Sequence, residues 1–156
     1  MDGSAPGVGA ILMLSQTATT VGGIFRSGSH DLPSDFLEVD RETQGLGDAL
    51  KLLAHTVQVN TSAEFASTEV QRGIFSIVAS AQRTLYDLQS FIDRYSTVDK
   101  VSTRGGTVLR KQWSSPTIAN YRNISWTKDS GDMMALRGLL IMHCSTIALL
   151  TQALQR

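Results

Sequence analysis

The chain has 156 residues, 42% of them hydrophobic and 18% charged, with 14 Lys/Arg set against 14 Asp/Glu. That length fits one domain able to bury a core of ordinary proportions. Net neutrality removes the simplest case for nucleic-acid binding, which rests on many Lys/Arg contacts to phosphate. The single cysteine, Cys144, excludes an intrachain disulfide framework and any multi-cysteine metal site.

The first segment is uncharged between Asp2 and Arg26. A basic n-region, which a signal peptide needs, is missing. A membrane span needs about 20 predominantly apolar residues. Residues 7–26 hold ten, diluted by four glycines and five Ser, Thr or Gln. Within them Ile11, Leu14, Ala18, Val21 and Phe25 recur at helical spacing, so a helix is expected over about 6–26, with Pro6 in its first turn and Gly22-Gly23 near its end. Ser27 to Asp31 reads as a turn.

A second helix is expected over about 33–58, opening at Pro33 with Ser34 or Asp35 near the cap. Its stripe is Phe36, Val39, Leu46, Leu50, Leu53 and Val57, interrupted at Thr43 and weakened by Gly45 and Gly47. The clearest helix spans about 66–95, carrying Val70, Ile74, Ile77, Ala81, Leu85, Leu88, Ile92 and Tyr95. Residues 96–115, with Gly105-Gly106 and scattered Ser and Thr, read as a long loop. A short helix follows over about 116–126, through Ile118, Tyr121 and Ile124. The last runs over about 130–155, capped within Asp129 to Asp132, with the stripe Leu136, Leu139, Leu140, His143, Ile147, Leu150 and Leu154. The expected architecture is all-α, a single bundle of four long helices and a short fifth. Its core includes Leu50, Leu53, Ile74, Ile77, Leu88, Trp126, Leu139 and Ile147, and a charge at Ile77 or Leu139 is expected to unfold it.

No constellation for catalysis stands out. His30, His55 and His143 fall in different segments, and no zincin, nucleophile-elbow or phosphate-loop motif occurs. No cofactor, metal or small-molecule substrate is expected. His143 and Cys144 are adjacent, so on a helix they point about 100° apart and do not converge. His143 is expected to be a hydrogen-bonded core residue and Cys144 a small buried hydrophobe. The sequons at Asn60 and Asn123 read as chance.

The charges are segregated. Eight acids lie between Asp31 and Glu69 against two bases, Arg41 and Lys51; six bases and no acid lie between Lys100 and Lys128. The basic set is Lys100, Arg104, Arg110, Lys111, Arg122 and Lys128. Opposite patches either pair internally or steer self-association. Trp113 and Trp126 fall in the basic stretch, where anchoring that stretch to the bundle is favoured over stacking on nucleobases.

The second half has a layout carried by particular residues. A helix ends Leu85-Tyr86-Asp87-Leu88-Gln89-Ser90-Phe91-Ile92-Asp93-Arg94-Tyr95. A basic link leads to Ile124-Ser125-Trp126-Thr127-Lys128. Then come Met134-Ala135-Leu136-Arg137-Gly138-Leu139-Leu140-Ile141-Met142-His143 and Ile147-Ala148-Leu149-Leu150. This resembles the N-terminal helical domains, HeLo and HeLo-like, of fungal STAND (NLR-like) proteins, whose pattern is a Trp-x-Lys element before a Leu-Arg-x-x-Leu helix. The resemblance spans nearly the whole chain. It implies a cytoplasmic signalling module at the front of a larger receptor, self-associating, and in some members executing cell death by inserting its first helix into a membrane.

On that reading the effector segment is Val8, Ile11, Leu12, Leu14, Ala18, Val21, Gly22, Ile24 and Phe25. Ala18-x-x-x-Gly22 would permit close helix contact, and the basic residues would hold the domain at anionic lipid of the plasma membrane. Ser15 to Thr20 is more polar than that family's usual opening helix. The alternative is a non-lytic adaptor that binds protein partners.

Overall fold

The computed structural model describes residues 7–26, 32–60, 67–126 and 131–155. Pro6, the Ser27–Asp31 turn, Lys128, and the Asp129 and Ser130 part of the last cap lie outside them. Five α-helices are present among the described residues: α1 (Val8–Arg26), α2 (Ser34–Val59), α3 (Thr68–Tyr95), α4 (Ser115–Asn120) and α5 (Met133–Leu154). The fold is an all-α bundle. α1 packs on α2 and α3, and α5 packs on the same two, so α1 and α5 stand at opposite corners.

Local chemistry sets the helix ends. Ser67 caps α3 by accepting from the Val70 amide at 3.3 Å, and Asp132 caps α5 by accepting from the Ala135 amide at 2.9 Å. Ser114 does the same for α4 through the Thr117 amide at 3.3 Å, with proline in the first turn. Pro33 precedes α2, whose first turn carries Asp35, favourable to the helix dipole.

The apolar stripes enter one core. Ile11, Leu14, Ala18, Val21 and Phe25 of α1 are all buried, as are Phe36, Val39, Leu46, Leu50 and Leu53 of α2 and Ile74, Ala81, Leu85, Leu88 and Ile92 of α3. The apparent gap at Thr43 is no break: the residue is fully buried and returns its hydroxyl to the Val39 carbonyl at 2.6 Å.

Two core assignments shift by one position. Ile77 and Leu139 are half-buried, while Val78 and Leu140 are buried. On α5 the inner face runs through Met133, Leu136, Leu140, His143, Ile147 and Thr151. Leu139 falls roughly 60° to the other side of Leu136 and lands on the rim.

The stretch expected as a loop over 96–115 is instead an antiparallel hairpin, β1 (Ser96–Thr103) with β2 (Gly106–Trp113), in register Ser96↔Trp113 through Thr103↔Gly106. Arg104-Gly105 makes the two-residue turn, and Gly106 takes φ 119°, a conformation that favours glycine. The signal was the β-branched run Thr97, Val98, Val101, Thr103, Thr107 and Val108 around a Gly pair. The segment after α4 also closes sooner than expected, as a 3₁₀ turn (Tyr121–Asn123) in place of a helix to 126.

The rim position makes a direct test. Leu140→Asp should abolish the cooperative thermal transition in far-UV circular dichroism, because it strands a charge in a fully closed site. Leu139→Asp should keep that transition at a lowered Tm. Equal loss in both variants would contradict this assignment of the α5 face.

Candidate functional site

Rings from α1, α2, α3, β2 and the 3₁₀ turn meet at one end of the bundle. Phe25 of α1 lies 5.9 Å from Phe36 of α2 and 4.9 Å from Trp113 of β2, between centroids. Phe36 meets Trp113 at 5.3 Å and Tyr121 at 5.2 Å, both edge-on, and Trp126 closes the set 5.5 Å from Trp113 and 6.0 Å from Tyr95. Trp126 donates its indole N–H to the Tyr121 carbonyl at 2.9 Å. Both tryptophans are therefore anchors: Trp126 is 1% exposed and Trp113 6%.

The helix expected to be the effector segment is docked by two kinds of contact. Its apolar stripe faces the core, and its small residues seat it on α2. A Cβ at Gly22 would meet Gln44 Nε2 at 2.9 Å and Asp40 Oδ1 at 3.1 Å; one at Gly47 would meet Thr19 Oγ1 at 3.0 Å and the Ser15 carbonyl at 3.2 Å. Ser15 donates its hydroxyl to the Gly47 carbonyl at 2.7 Å. Ala18-x-x-x-Gly22 thus serves close packing on α2 within this chain. Of the predicted segment, Ile11, Leu14, Ala18, Val21, Gly22 and Phe25 are buried, Val8 and Ile24 half-buried, and Leu12 exposed.

The outer face of α1 is unusual for a surface helix. Leu12 and Met13 are 38% and 70% exposed, and no charge appears before Arg26. By length and composition both α1 and α5 could cross a membrane, a test that soluble core helices also pass. An open groove of about 480 Å³ runs between α1 and α2, lined by Leu12, Ser15, Gln16, Thr19, Thr20, Asp48 and Lys51.

The basic set is only partly gathered. Lys100, Arg110 and Lys111 lie on the hairpin strands, where the register sets Asp99 opposite Arg110. Arg104 is exposed at the turn. Arg122 is exposed on the 3₁₀ turn and donates to the Tyr121 hydroxyl at 3.1 Å, which itself donates to Asp35 at 2.7 Å. The acids of α2 find further partners inside the molecule. Asp40 pairs with Arg26 at 2.7 Å and Glu38 with Arg137 at 3.5 Å. Internal pairing thus takes up the first turns of the acidic run, mostly from outside the predicted basic stretch.

His143 and Cys144 diverge, as their helical spacing required. His143 Nε2 is 2.7 Å from the Thr84 hydroxyl on α3, and Cys144 Sγ points at the Glu42 carbonyl on α2, 3.7 Å away. Burial pushes the Cys144 thiol up, with the Glu42 carboxylate adding to it, which keeps the sulfur protonated and a poor nucleophile. Among the described residues no group of three His, Cys, Asp or Glu is placed to hold a metal ion.

Burial also lowers the His143 pKa from its ordinary 6.5. The folded state then binds its proton less readily than the unfolded chain, so this contribution to stability is complete above about pH 6.5 and is lost as pH falls toward the folded value. Urea midpoints should therefore drop between pH 7.5 and 5.5, and His143→Gln should flatten that drop. An unchanged pH slope in the variant would assign the effect elsewhere. No protein-family model matches the chain, and neither a curated protein nor a solved structure matches it.

Proposed function

We propose that this chain is a signalling and effector module of the HeLo-like kind, a non-enzymatic domain of an NLR-like receptor in fungi. It acts in the cytoplasm and moves to the plasma membrane when its first helix is released. One observation carries the reading: α1 is uncharged from Val8 to Phe25 although half of it faces water. A surface helix ordinarily turns charged residues outward. Here the outer face is Leu12, Met13, Gln16, Thr19, Thr20 and Gly23. Transfer of such a helix into a bilayer buries no charged side chain, and its stripe exchanges one apolar environment for another.

The hairpin supplies the second element of the proposal. Lys100, Arg104 and Lys111 hold the domain near anionic lipid, each adding about 1 kcal/mol close to the surface. Release follows self-association, which brings several first helices to one patch of membrane. A second reading is favoured by a different surface. Met134, Met142 and Leu149 of α5 are 60%, 50% and 67% exposed, and the helix has one charge, Arg137. That face suits an adaptor that binds a protein partner and leaves lipid alone.

Dye release from phosphatidylserine-containing and purely phosphatidylcholine vesicles separates the two. The intact chain should release dye from the anionic vesicles alone. Met13→Asp with Gln16→Asp places two acids on the exposed face of α1, where water solvates them and the fold is kept. Each costs about 2.5–3.5 kcal/mol at mid-bilayer, so leakage should fall by at least about a hundredfold. Undiminished leakage sinks the insertion mechanism, and no leakage from the intact chain leaves the adaptor.

A further inference from the structure

A polar set lies beneath α1 that its apolar stripe does not account for. Asp40 of α2 is 1% exposed although it is a carboxylate. Its Oδ1 accepts from Gln44 Nε2 at 3.2 Å, and the same amide nitrogen donates to the Thr19 carbonyl of α1 at 3.0 Å. Its Oδ2 lies 2.7 Å from Nη2 of Arg26, at the end of α1. Gly22 is seated on top, so near that a Cβ there would press on both Gln44 and Asp40.

The two partners of the ion pair differ in setting. The Asp40 side chain is 2% exposed and that of Arg26 70%. A carboxylate out of water is tolerable only while its charge is compensated. Here the compensating cation stands in solvent, where other anions reach it. With α1 docked, Asp40 is dry and depends on Arg26; with α1 away, Asp40 is hydrated and depends on nothing. The buried apolar contacts of α1 favour docking under all conditions. Asp40 opposes docking unless Arg26 is held against it.

We infer that Asp40, Gln44 and Arg26 form a clasp over the C-terminal half of α1, opened when a phosphate-bearing anion draws Arg26 away. This rests on the reading in which α1 leaves the bundle, and it names the chemistry of the trigger. The apolar stripe still supplies most of the docking energy, and the clasp decides when the second half of α1 loosens.

Amide hydrogen exchange on the full chain tests it without any membrane insertion. Arg26→Gln strands the buried carboxylate, and exchange over residues 19–26 should rise by about tenfold while α3 stays unchanged. Asp40→Asn removes the charge that needs compensating, so Arg26→Gln added to Asp40→Asn should return exchange to the wild-type rate. With wild type, inorganic phosphate at matched ionic strength and phosphatidylserine vesicles should each accelerate the same residues, phosphatidylcholine vesicles should not, and Asp40→Asn should be insensitive to all three. Acceleration by the vesicles alone assigns the trigger to a lipid surface. Exchange that rises equally in α2, α3 and α5, fails to rise in Arg26→Gln, or is not rescued in the double variant overturns the clasp. Insensitivity of the wild type to both anions overturns the trigger. A clasp that behaves as expected in a protein that never leaks vesicles would stand, and only the insertion mechanism would fall.

Discussion

The packing of rings around Phe36 is the constraint on which the rest of the chain's path depends. α3 ends at Tyr95, and everything between it and α5 must return to the same end of the bundle, because Trp113, Tyr121 and Trp126 all pack there. The hairpin is pinned by Trp113 at the end of β2. The 3₁₀ turn is pinned by Tyr121, and the approach to α5 by Trp126, whose amide donates to the Gly131 carbonyl at 2.7 Å. One cost is visible, since the Trp113 indole N–H has no hydrogen-bond partner among the described residues. That costs about 1–3 kcal/mol. Burying a ring of roughly 200 Å² returns about 5 kcal/mol, so the site closes in favour of burial.

The same arithmetic limits what α1 can do. Ile11, Leu14, Ala18, Val21 and Phe25 are all buried, and the four larger ones contribute roughly 1.5–3 kcal/mol each. Their sum is of the order of a whole domain's stability, about 5–15 kcal/mol. A helix held that firmly does not leave for water. In the proposed mechanism it leaves for a place that returns the transfer energy, and a bilayer does so only because no charged side chain interrupts the segment before Arg26. Uncharged exterior and apolar interior are therefore two halves of one requirement in the proposed mechanism. Either alone would give an ordinary core helix or a weakly docked one.

Much of this was legible in the sequence, and what was not has a common cause. The α1 stripe can be read residue by residue, since a period of three and four needs only one helix to be seen. The same holds for α3, apart from the exchange of Ile77 for Val78. Gly45 and Gly47 read as weak points because propensity describes a helix by itself. In the bundle Gly47 is where α1 comes close, and Gly45 faces Cys144 on α5, with Sγ 4.0 Å from where its Cβ would be. Asp40 looks like one acid among eight, and its burial beneath Arg26 and Gly22 is a property of two helices together. The hairpin is hard to read for another reason. Its β-branched residues do not alternate cleanly with polar ones, so the turn glycines read as loop.

The arrangement of the helices also bears on whether α1 can move alone. α1 and α5 stand at opposite corners and share α2 and α3 as neighbours. Withdrawal of α1 uncovers one face of each neighbour and leaves the α2–α5–α3 contacts in place. The His143–Thr84 hydrogen bond at 2.7 Å ties α5 to α3 without any part from α1. At the aromatic end only Phe25 departs, while Phe36 keeps Trp113, Tyr121 and Trp126. Opening confined to one helix needs such a division, in which the remaining helices keep contacts with one another after a segment leaves. Had α5 occupied the position beside α1, the proposed withdrawal would expose the apolar face of α5, and local opening would become unfolding.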